Sequence, residues 1–258
     1  MLILRERRDH TEILTLNRPE AANSLNPELM DDLGAALQEI LDDDDARVVV
    51  LTGAGERVFC AGMDLSALGA FNNKTAAGAE PKLGADALAA FMAGTYPKPV
   101  IAAVNGAAVG GGLELVMSCD LVVAAEHARF GLPEVKRGLF AAGGGTLLST
   151  RIPLALALEM GITGRLILAP KALEAGLLNQ VVAPDELIPA AVALADEVAA
   201  NGPLAVQLTK ALLRGAVTDQ PSAGRATPEQ MNQVFQSTDA AEGAAAFMEK
   251  RPPNFTGH

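Results

Sequence analysis

The sequence predicts an α/β fold for this chain of 258 residues. In residues 1–183, short apolar segments of strand length alternate with segments whose apolar residues recur at helical spacing. From Pro184 onward, every periodic segment has the spacing of a helix. We therefore predict a strand-and-helix core over residues 1–183, followed by a helical C-terminal region over residues 184–258.

The first elements are predicted from turn and capping residues. Residues 2–8 and 11–16 have the composition of two short strands, joined by a turn at 9–10. Asn26 and Pro27 predict the start of a helix, because asparagine is a favoured N-cap and proline is tolerated in the first turn. Leucines and isoleucines then recur at helical spacing.

The acidic run at 42–45 should end that helix, because carboxylates are unfavourable at the negative end of a helix dipole. A buried strand is predicted at 47–52 and a second one at 100–104, with a helix at 86–95 between them. Small, polar and glycine residues at 66–84 predict a mobile loop over a neighbouring site.

The second half of the core shows the same alternation. A strand is predicted at 121–124, and the three glycines at 143–145 open a further helix. Strands at 165–168 and 177–182 flank a short helix at 170–175. The helices of the C-terminal region are predicted to begin at 184–185, 202–203, 227–228 and 237–238.

Composition limits the class of protein. Half of the residues are apolar and 20% are charged, so a core of ample size is available. The net charge of −11 and the pI near 4.7 disfavour nucleic acid or anionic membranes as partners. The N-terminus lacks the apolar segment of a signal peptide, and the most apolar stretch, 100–117, is interrupted by glycines and Glu114. We expect a soluble cytoplasmic protein in which Cys60 and Cys119 are reduced, buried thiols.

A glycine-rich turn is the central feature of the chain. Gly110, Gly111 and Gly112 separate an apolar run from a helix-like run, so unpaired N–H groups at the helix start can point at one position. That arrangement suits an anion or a developing oxyanion. Glu114 follows directly in an apolar segment, and Glu134 ends another apolar run further along. Two carboxyl groups are therefore candidates for acid–base work near this turn.

These motifs occur in the order found in one known family. The chain resembles the enoyl-CoA hydratase/isomerase (crotonase) superfamily nearly end to end. The matching segments are LNRPEAANSLN at 16–26, VVVLTGAGERVFCAGMDL at 48–65, PKPVIAAVNGAAVGGGLEL at 97–115, CDLVVAAEHARFGLPEVKRGL at 119–139, GGGTLL at 143–148 and AFMEKRPPNFTG at 246–257.

The resemblance implies a crotonase-like right-handed spiral of ββα units with a helical C-terminal region used to form trimers. It implies a homotrimer or a dimer of trimers, an acyl-CoA thioester as substrate, and no separate cofactor, since coenzyme A is part of the substrate. It also implies an oxyanion hole made by the N–H groups of Met63 and Gly111. The other positions implied to contact substrate are Ala21, Ala22, Ser24, Leu25, Ala61, Gly62, Asp64, Leu65, Ser66, Ala107, Gly110, Pro133, Leu139 and Gly143.

Family members that hydrate enoyl-CoA carry two glutamates at the positions of Glu114 and Glu134, so the resemblance implies an enoyl-CoA hydratase. One carboxylate would take a proton from water while the other supplies a proton to C2 of the enoyl group. Which glutamate plays which part stays open, because a coupled pair titrates as a unit. Another reaction of the superfamily on a CoA ester, by a double-bond isomerase, a decarboxylase or a carbon–carbon lyase, is the alternative.

Several positions leave substrate length open. Met63 stands where many relatives have alanine, and its long side chain is expected to narrow the pocket. Residues 139–142 replace a commoner Ile-Pro-Gly-containing segment beside the acyl site. Each feature also has a structural interpretation: Glu114 and Glu134 as first-turn acids, residues 143–145 as a tight helix entry, and Asp64 as a residue that shapes its loop.

Other classes of protein fit the sequence less well. The glycine turns lack the third glycine of a dinucleotide-binding fingerprint. A serine hydrolase using Ser118 and His127 would need a G-x-S-x-G motif, which is absent from the sequence. His127 lies in a polar interruption and is interpreted as a surface residue, and the three histidines show no metal-binding spacing. A non-catalytic or RNA-binding relative is disfavoured by the acidic charge and by the glutamate pair.

Overall fold

The computed structural model describes residues 1–64 and 83–258, except the side chains of residues 218 and 220–227. The loop predicted at 66–84 lies outside these residues apart from its last two positions. Within the described residues the architecture is α/β, with a larger and a smaller sheet and a run of helices at the C-terminus.

The larger sheet has six strands among the described residues. In spatial order they are β1 (Ile3–Arg8), β2 (Thr11–Leu16), β3 (Val48–Gly53), β5 (Val100–Val104), β7 (Leu121–Ala125) and β10 (Gln180–Val182). β1 and β2 form the predicted antiparallel hairpin, which turns at Asp9 with a φ of 49°. All the other neighbouring pairs are parallel, which brings the carboxyl ends of β2, β3, β5 and β7 to one edge.

A smaller sheet positions the candidate site. Its strands, in spatial order, are β4 (Val58–Cys60), β6 (Ala107–Val109), β8 (Arg129–Gly131) and β9 (Leu166–Leu168). β4, β6 and β8 are parallel, and β9 is antiparallel to β8. Of these strands, only β9 is predicted from the sequence, because segments of three residues are too short to show an alternating pattern.

The first helix, α1 (Pro27–Leu41), begins and ends as predicted. The side chain of Asn26 accepts a hydrogen bond of 2.9 Å from the N–H of Leu29, which satisfies one of the free amides of the first turn. At the other end, Nζ of the buried Lys98 donates to the carbonyls of Ile40 and Asp43. A cation therefore caps the negative end of the dipole, where the sequence itself carries acids.

The remaining helices among the described residues are α2 (Ala85–Met92), α3 (Gly111–Ser118), α4 (Leu154–Thr163), α5 (Ala169–Glu174), α6 (Leu187–Ala199), α7 (Pro203–Thr218), α8 (Gln220–Phe235) and α9 (Thr238–Glu249). The predicted start of a helix at 227–228 is wrong. α8 begins at Gln220 and carries the exposed Pro228 inside it. The glycines at 143–145 lead into a 3-10 helix, Gly145–Thr150, which precedes α4.

The larger sheet separates two apolar layers. On one face, α1 and α3 pack with most of the buried side chains of the protein. On the other face, α6 presents Leu187, Ala191, Ala195 and Ala199 to Val48, Val50 and Ile101 of the sheet. Small side chains at four-residue spacing let α6 lie close to the strands. The division of the chain at residue 183 stays a prediction. Among the described residues, no helix is both long enough and apolar enough to cross a membrane.

Candidate active site

The glycine turn between β6 and α3 is as tight as the sequence predicts. Gly110 has a φ of 58° and a ψ of −128°, a conformation that side chains disfavour, and its N–H donates to the carbonyl of Gly131. A Cβ atom on Gly112 would overlap the carbonyl of Cys60 on the neighbouring strand. Glycine at these positions therefore lets the start of α3 lie directly against the end of β4.

Two backbone amides meet at this turn, as predicted. A Cβ atom built on Gly111 would lie 3.4 Å from the nitrogen of Met63, and one built on Gly62 would lie 3.0 Å from the nitrogen of Gly111. The strand-like bridge of Leu25 to Met63 fixes the first amide: the N–H of Leu25 donates to the carbonyl of Gly62, and that of Asp64 donates to the carbonyl of Leu25. Within the described residues, neither the N–H of Met63 nor that of Gly111 has a backbone acceptor.

Glu114 lies in the first turn of α3 and is 8% exposed. Its Oε1 accepts a hydrogen bond of 2.9 Å from the N–H of Gly145, at the start of the 3-10 helix. Gly143 has no room for a side chain, because a Cβ there would lie 2.5 Å from Oε2 of Glu114. The glycine run at 143–145 thus orients this carboxylate.

The side chain of Glu134 lies against the glycine turn at 110–112. It belongs to a 3-10 helix, Pro133–Arg137, that follows β8 directly. Its Oε1 lies 3.0 Å from the Cβ position of Gly110, and its Oε2 is buried without a hydrogen-bond partner among the described residues. Burial raises the pKa of Glu134, and the neighbouring charge of Glu114 raises it further.

The two carboxyl groups and the two amides therefore lie around the same glycine turn. Glu114 has one oxygen held and Glu134 has one buried oxygen without a partner, so each can bond to a molecule between them. The N–H groups of Met63 and Gly111 lie at this turn and can stabilise negative charge on a bound oxygen. This combination of an acid–base pair and a pair of donors suits a reaction through an oxyanion.

Comparison with known proteins agrees with this geometry. The sequence profile of the enoyl-CoA hydratase/isomerase family matches residues 8–258. The chain belongs to this family.

Similar members come from several bacteria. Enoyl-CoA hydratase EchA19 of Mycobacterium tuberculosis is 40% identical over 255 residues, covering 97% of this chain and 94% of the relative. The short-chain-enoyl-CoA hydratase of Clostridium acetobutylicum is 38% identical over 252 residues, covering 96% of this chain and 95% of the relative.

Solved structures of related proteins have the same fold as this chain. The crystal structure of an enoyl-CoA hydratase from Bacillus anthracis superposes with a TM-score of 0.89 at 35% identity, covering 100% of both chains. That of an enoyl-CoA hydratase from Mycobacterium tuberculosis gives 0.85 at 42% identity, covering 100% of this chain and 99% of that one. The predicted crotonase-like fold is therefore confirmed, and the protein is an enzyme of the enoyl-CoA hydratase/isomerase family.

The turn before α1 supplies another wall of this family site. A 3-10 helix, Pro19–Ala21, is followed by Ala22 and Asn23, both with a φ of 52°. Ala61 donates its N–H to the carbonyl of Ala22, so the turn is held against the segment of the first amide. The predicted contact residues Ala21, Ala22, Ser24 and Leu25 thus lie beside Ala61 and Gly62.

Two residues that hold this turn, Arg18 and Asn23, were not predicted from the sequence. The side chain of the buried Asn23 accepts from the N–H of Arg18 and donates to the carbonyls of Ala54 and Val58. Arg18 donates to the carbonyl of Ser24 and forms an ion pair of 3.1 Å with Asp64. The signal for Asn23 was present, since asparagine is enriched among non-glycine residues with positive φ. Arg18 and Asp64 are 46 positions apart, and nothing in the sequence pairs them.

The structure describes three of the remaining predicted contact positions and leaves two outside the described residues. Ala107 is in β6, Pro133 begins the 3-10 helix of Glu134, and the exposed Leu139 follows that helix. Leu65 and Ser66 lie outside the described residues. The side chain of Met63 is 46% exposed, and the expected narrowing of the pocket by this side chain stays a prediction.

The remaining candidate residues have structural roles. His127 is exposed, as predicted, and its Nε2 lies 3.0 Å from the carbonyl of Glu56. The hydroxyl of Ser118 donates to the carbonyl of Glu114 in its own helix. Cys60 and Cys119 are buried and unpaired, which confirms the predicted free thiols. Among the described residues, no group of three or more histidine, cysteine or acidic side chains could hold a metal ion.

Proposed function

We propose that this enzyme is an enoyl-CoA hydratase that adds water across the 2,3 double bond of a 2-enoyl-CoA thioester to give a 3-hydroxyacyl-CoA. The proposal rests on one observation above all. Two carboxyl groups that are separated along the chain, Glu114 and Glu134, meet beside the amide pair of Met63 and Gly111. A hydratase needs both parts, since water and C2 exchange protons while negative charge builds on the thioester oxygen.

In the proposed mechanism, the N–H groups of Met63 and Gly111 bind the thioester carbonyl. They point at the oxygen before the reaction begins, so they stabilise the enolate without having to reorganise. Removing one such donor typically costs about 3–4 kcal/mol of transition-state stabilisation. This part of the catalysis therefore comes from backbone N–H groups alone, which the turn holds in position before the reaction.

The environments of the two glutamates suggest how they divide the acid–base work. Glu114 accepts the N–H of Gly145, a bond that a carboxylate makes well, which suits the base that takes a proton from water. Burial and the charge of Glu114 raise the pKa of Glu134, which suits the group that supplies a proton to C2. Water's oxygen bonds to C3 as its proton passes to Glu114, and Glu134 protonates C2 as the enolate collapses.

Product analysis tests the proposal. Incubation with crotonyl-CoA in ¹⁸O-water should give a product heavier by one water that carries the label at C3, detected by mass spectrometry. A double-bond isomerase would instead convert a 3-enoyl-CoA into a 2-enoyl-CoA of unchanged mass. Loss of carbon dioxide or cleavage of a carbon–carbon bond would indicate a decarboxylase or a lyase. Absence of labelled hydroxyacyl product from crotonyl-CoA and from 2-enoyl-CoA thioesters of six and eight carbons would overturn the proposal.

Several further properties belong to the same proposal. Coenzyme A enters as part of the substrate, and no separate cofactor or metal takes part. We propose a homotrimer or a dimer of trimers, supported by Leu154, Leu158 and Ile162, which form an exposed apolar stripe along α4. Light scattering in solution tests the assembly. A cytoplasmic location without nucleic-acid or membrane partners accords with the net charge of −11.

A further inference from the structure

A cavity of about 330 Å³ lies behind Glu114 along α3. Glu114 and the glycines at 143–144 form part of its wall, next to the reaction centre. Met92, Met117 and Leu147 supply apolar surface suited to an acyl chain. The remaining polar part of the wall comes from the segment after α2, from the C-terminal end of α3, from the end of the 3-10 helix and from α7. Its residues are Thr95, Ser118, Thr150, Arg151, Gln207, Lys210 and Arg214.

The charges that line this cavity are unbalanced. Arg151, Lys210 and Arg214 are cationic, and the acidic residue among the described lining residues is Glu114, which lies at the reaction centre. This excess is the reverse of the charge of the whole chain, which is −11. A cationic wall around an apolar cavity inside an acidic protein indicates an anionic group on the ligand.

Arg151 forms no ion pair with a carboxylate among the described residues, although the nearby charge of Asp120 also acts on it. Asp120 bonds to Lys210 at 2.6 Å and to Arg214 at 2.8 Å. Nη2 of Arg151 donates only to main-chain carbonyls, those of Met117 and Cys119. Within the described residues, no acid forms an ion pair with Arg151. Burial lowers the pKa of Arg151 and of Lys210, as expected for cations that are drawn out of water.

The helix dipole accounts for only part of this positive charge. Carbonyls at the end of α3 carry the equivalent of about −0.5 elementary charge, and Asp120 adds one negative charge. Three cations face these groups, so positive charge remains uncompensated at this end of the cavity among the described residues. If the three cations served only to hold α7 against α3, an apolar side chain could occupy the space beside them. The structure has a cavity there instead.

The distance from the reaction centre to the cations limits the chain length. Glu114 and Ser118 are four residues apart in α3, a rise of about 6 Å. An extended chain advances about 1.2 Å per bond, taking ~3.6 Å for the three bonds of an extended residue. About five bonds beyond the reacting double bond therefore span the length of α3 from Glu114 to Ser118, and we take this length to set an acyl chain of roughly six to eight carbons.

From this geometry we propose that the enzyme prefers 2-enoyl-CoA thioesters whose acyl chain ends in a carboxylate, which Arg151 binds with support from Lys210 and Arg214. The inference rests on the proposed hydratase function and adds the substrate class. Arg151 is a specificity-determining residue here, since its Nη2 donates to main-chain carbonyls and the N–H groups of Nη1 remain to bond a carboxylate. It takes no part in proton transfer.

Matched substrates test the preference in the wild-type enzyme. The probes are 2-enoyl-CoA thioesters of six and eight carbons, each with a terminal carboxylate, a terminal methyl ester or a terminal methyl group. We expect kcat/KM for the carboxylate to exceed that for the methyl ester roughly 10- to 100-fold at one of the two lengths, and the ratio to fall in high salt. Equal values at both lengths, or a preference for the uncharged probes, would overturn the inference.

Two variants test the assignment to this wall. Arg151→Gln should lower the ratio of kcat/KM for carboxylate over methyl ester about tenfold or more. Gln207→Glu places a negative charge on the cavity wall without removing any bond of the Asp120 cluster, and it should lower the ratio similarly. Arg8→Gln, which removes an exposed arginine on β1, is the control and should leave the ratio unchanged. An unchanged ratio in Gln207→Glu, with a wild-type melting temperature, would contradict the assignment even if Arg151→Gln fails to fold.

The same experiment separates this inference from the function on which it rests. If the uncharged probes are hydrated at normal rates and the carboxylate gives no advantage, the enzyme is a hydratase without this specificity. If no probe gains water, the proposed function itself fails.

Discussion

The N–H of Gly145 lies 2.9 Å from Oε1 of Glu114, although the two residues are 31 positions apart in the chain. This contact joins the first turn of α3 to the glycine run at 143–145. It holds Oε1 of the carboxylate, while Oε2 lies against Gly143. The acid–base function of the site therefore depends on a glycine segment that supplies no side chain.

Replacing either carboxyl group tests its role directly. Glu114→Gln and Glu134→Gln should each lower kcat about 10²- to 10⁴-fold, because an amide cannot exchange the proton that each group carries. Binding of a non-reacting acyl-CoA, measured by calorimetry, should change little, since the amides of Met63 and Gly111 remain. The exposed Glu186→Gln is the matched control and should keep wild-type turnover. Near-normal kcat in either site variant would remove that residue from the mechanism.

Gly143→Ala tests the orientation of Glu114. The new methyl group would lie 2.5 Å from Oε2, so the carboxylate has to move, and a displacement of this kind can lower kcat about 10²-fold. Gly161→Ala is the matched control, because its Cβ meets nothing within 4 Å inside α4. That change should preserve kcat and stabilise the fold by about 0.5–1 kcal/mol. Steady-state kinetics and thermal melts of both variants measure these effects. Full activity in Gly143→Ala would show that the close packing of Gly143 against Glu114 is not needed for catalysis.

The raised pKa of Glu134 predicts a pH dependence of stability. The folded state binds the Glu134 proton more tightly than the unfolded state, so between the ordinary pKa of about 4.3 and the raised value, stability falls as pH rises. Glu134→Gln lacks this group. Its melting temperature relative to wild type should therefore increase as pH rises across that window, and then level off. Melts of wild type and variant over a pH series measure the difference, and a difference independent of pH would contradict the burial of this carboxyl.

The buried thiols predict slow chemical modification. Burial raises the pKa of Cys60 to about 12 and also raises that of Cys119. Because the thiolate is the reactive form, the native protein should react with a disulfide reagent only as fast as it opens. Both thiols should react at once in denaturant. Rapid labelling of either cysteine in the native state, located by peptide mass spectrometry, would show that its environment opens more readily than the structure indicates.

Elements with local signals were predictable from the sequence. Asn26 and Pro27 define the start of α1 because capping chemistry acts over a few residues. The hairpin at Asp9 and the long buried strands of the larger sheet follow from turn residues and apolar runs. The glycine turn at 110–112 was located for the same reason, since its conformation depends on the residues that form it.

Features that depend on tertiary contacts were not predictable. β4, β6 and β8 have three residues each and are defined by their neighbours in the sheet. Pro228 indicated a helix start by a local rule, but α8 begins eight residues earlier, at Gln220, and tolerates the proline at an exposed position. The partners of Glu114 and the cationic cavity wall join residues far apart in the chain. Family resemblance placed the two glutamates, which periodicity alone would have left as first-turn acids.

The parallel pairing of β4 with β6 helps to set the relative positions of the amides of Met63 and Gly111. Met63 lies three residues after the end of β4 and Gly111 two residues after the end of β6, so the spacing between their amides depends on the ladder that joins the strands together with the bridge from Leu25 to Met63. A substitution that slips this register by a single residue would aim the two donors at different places while leaving every side chain of the centre intact. Such a protein would lose turnover as if a catalytic residue had been removed, but the cause would be the changed alignment of the two strands.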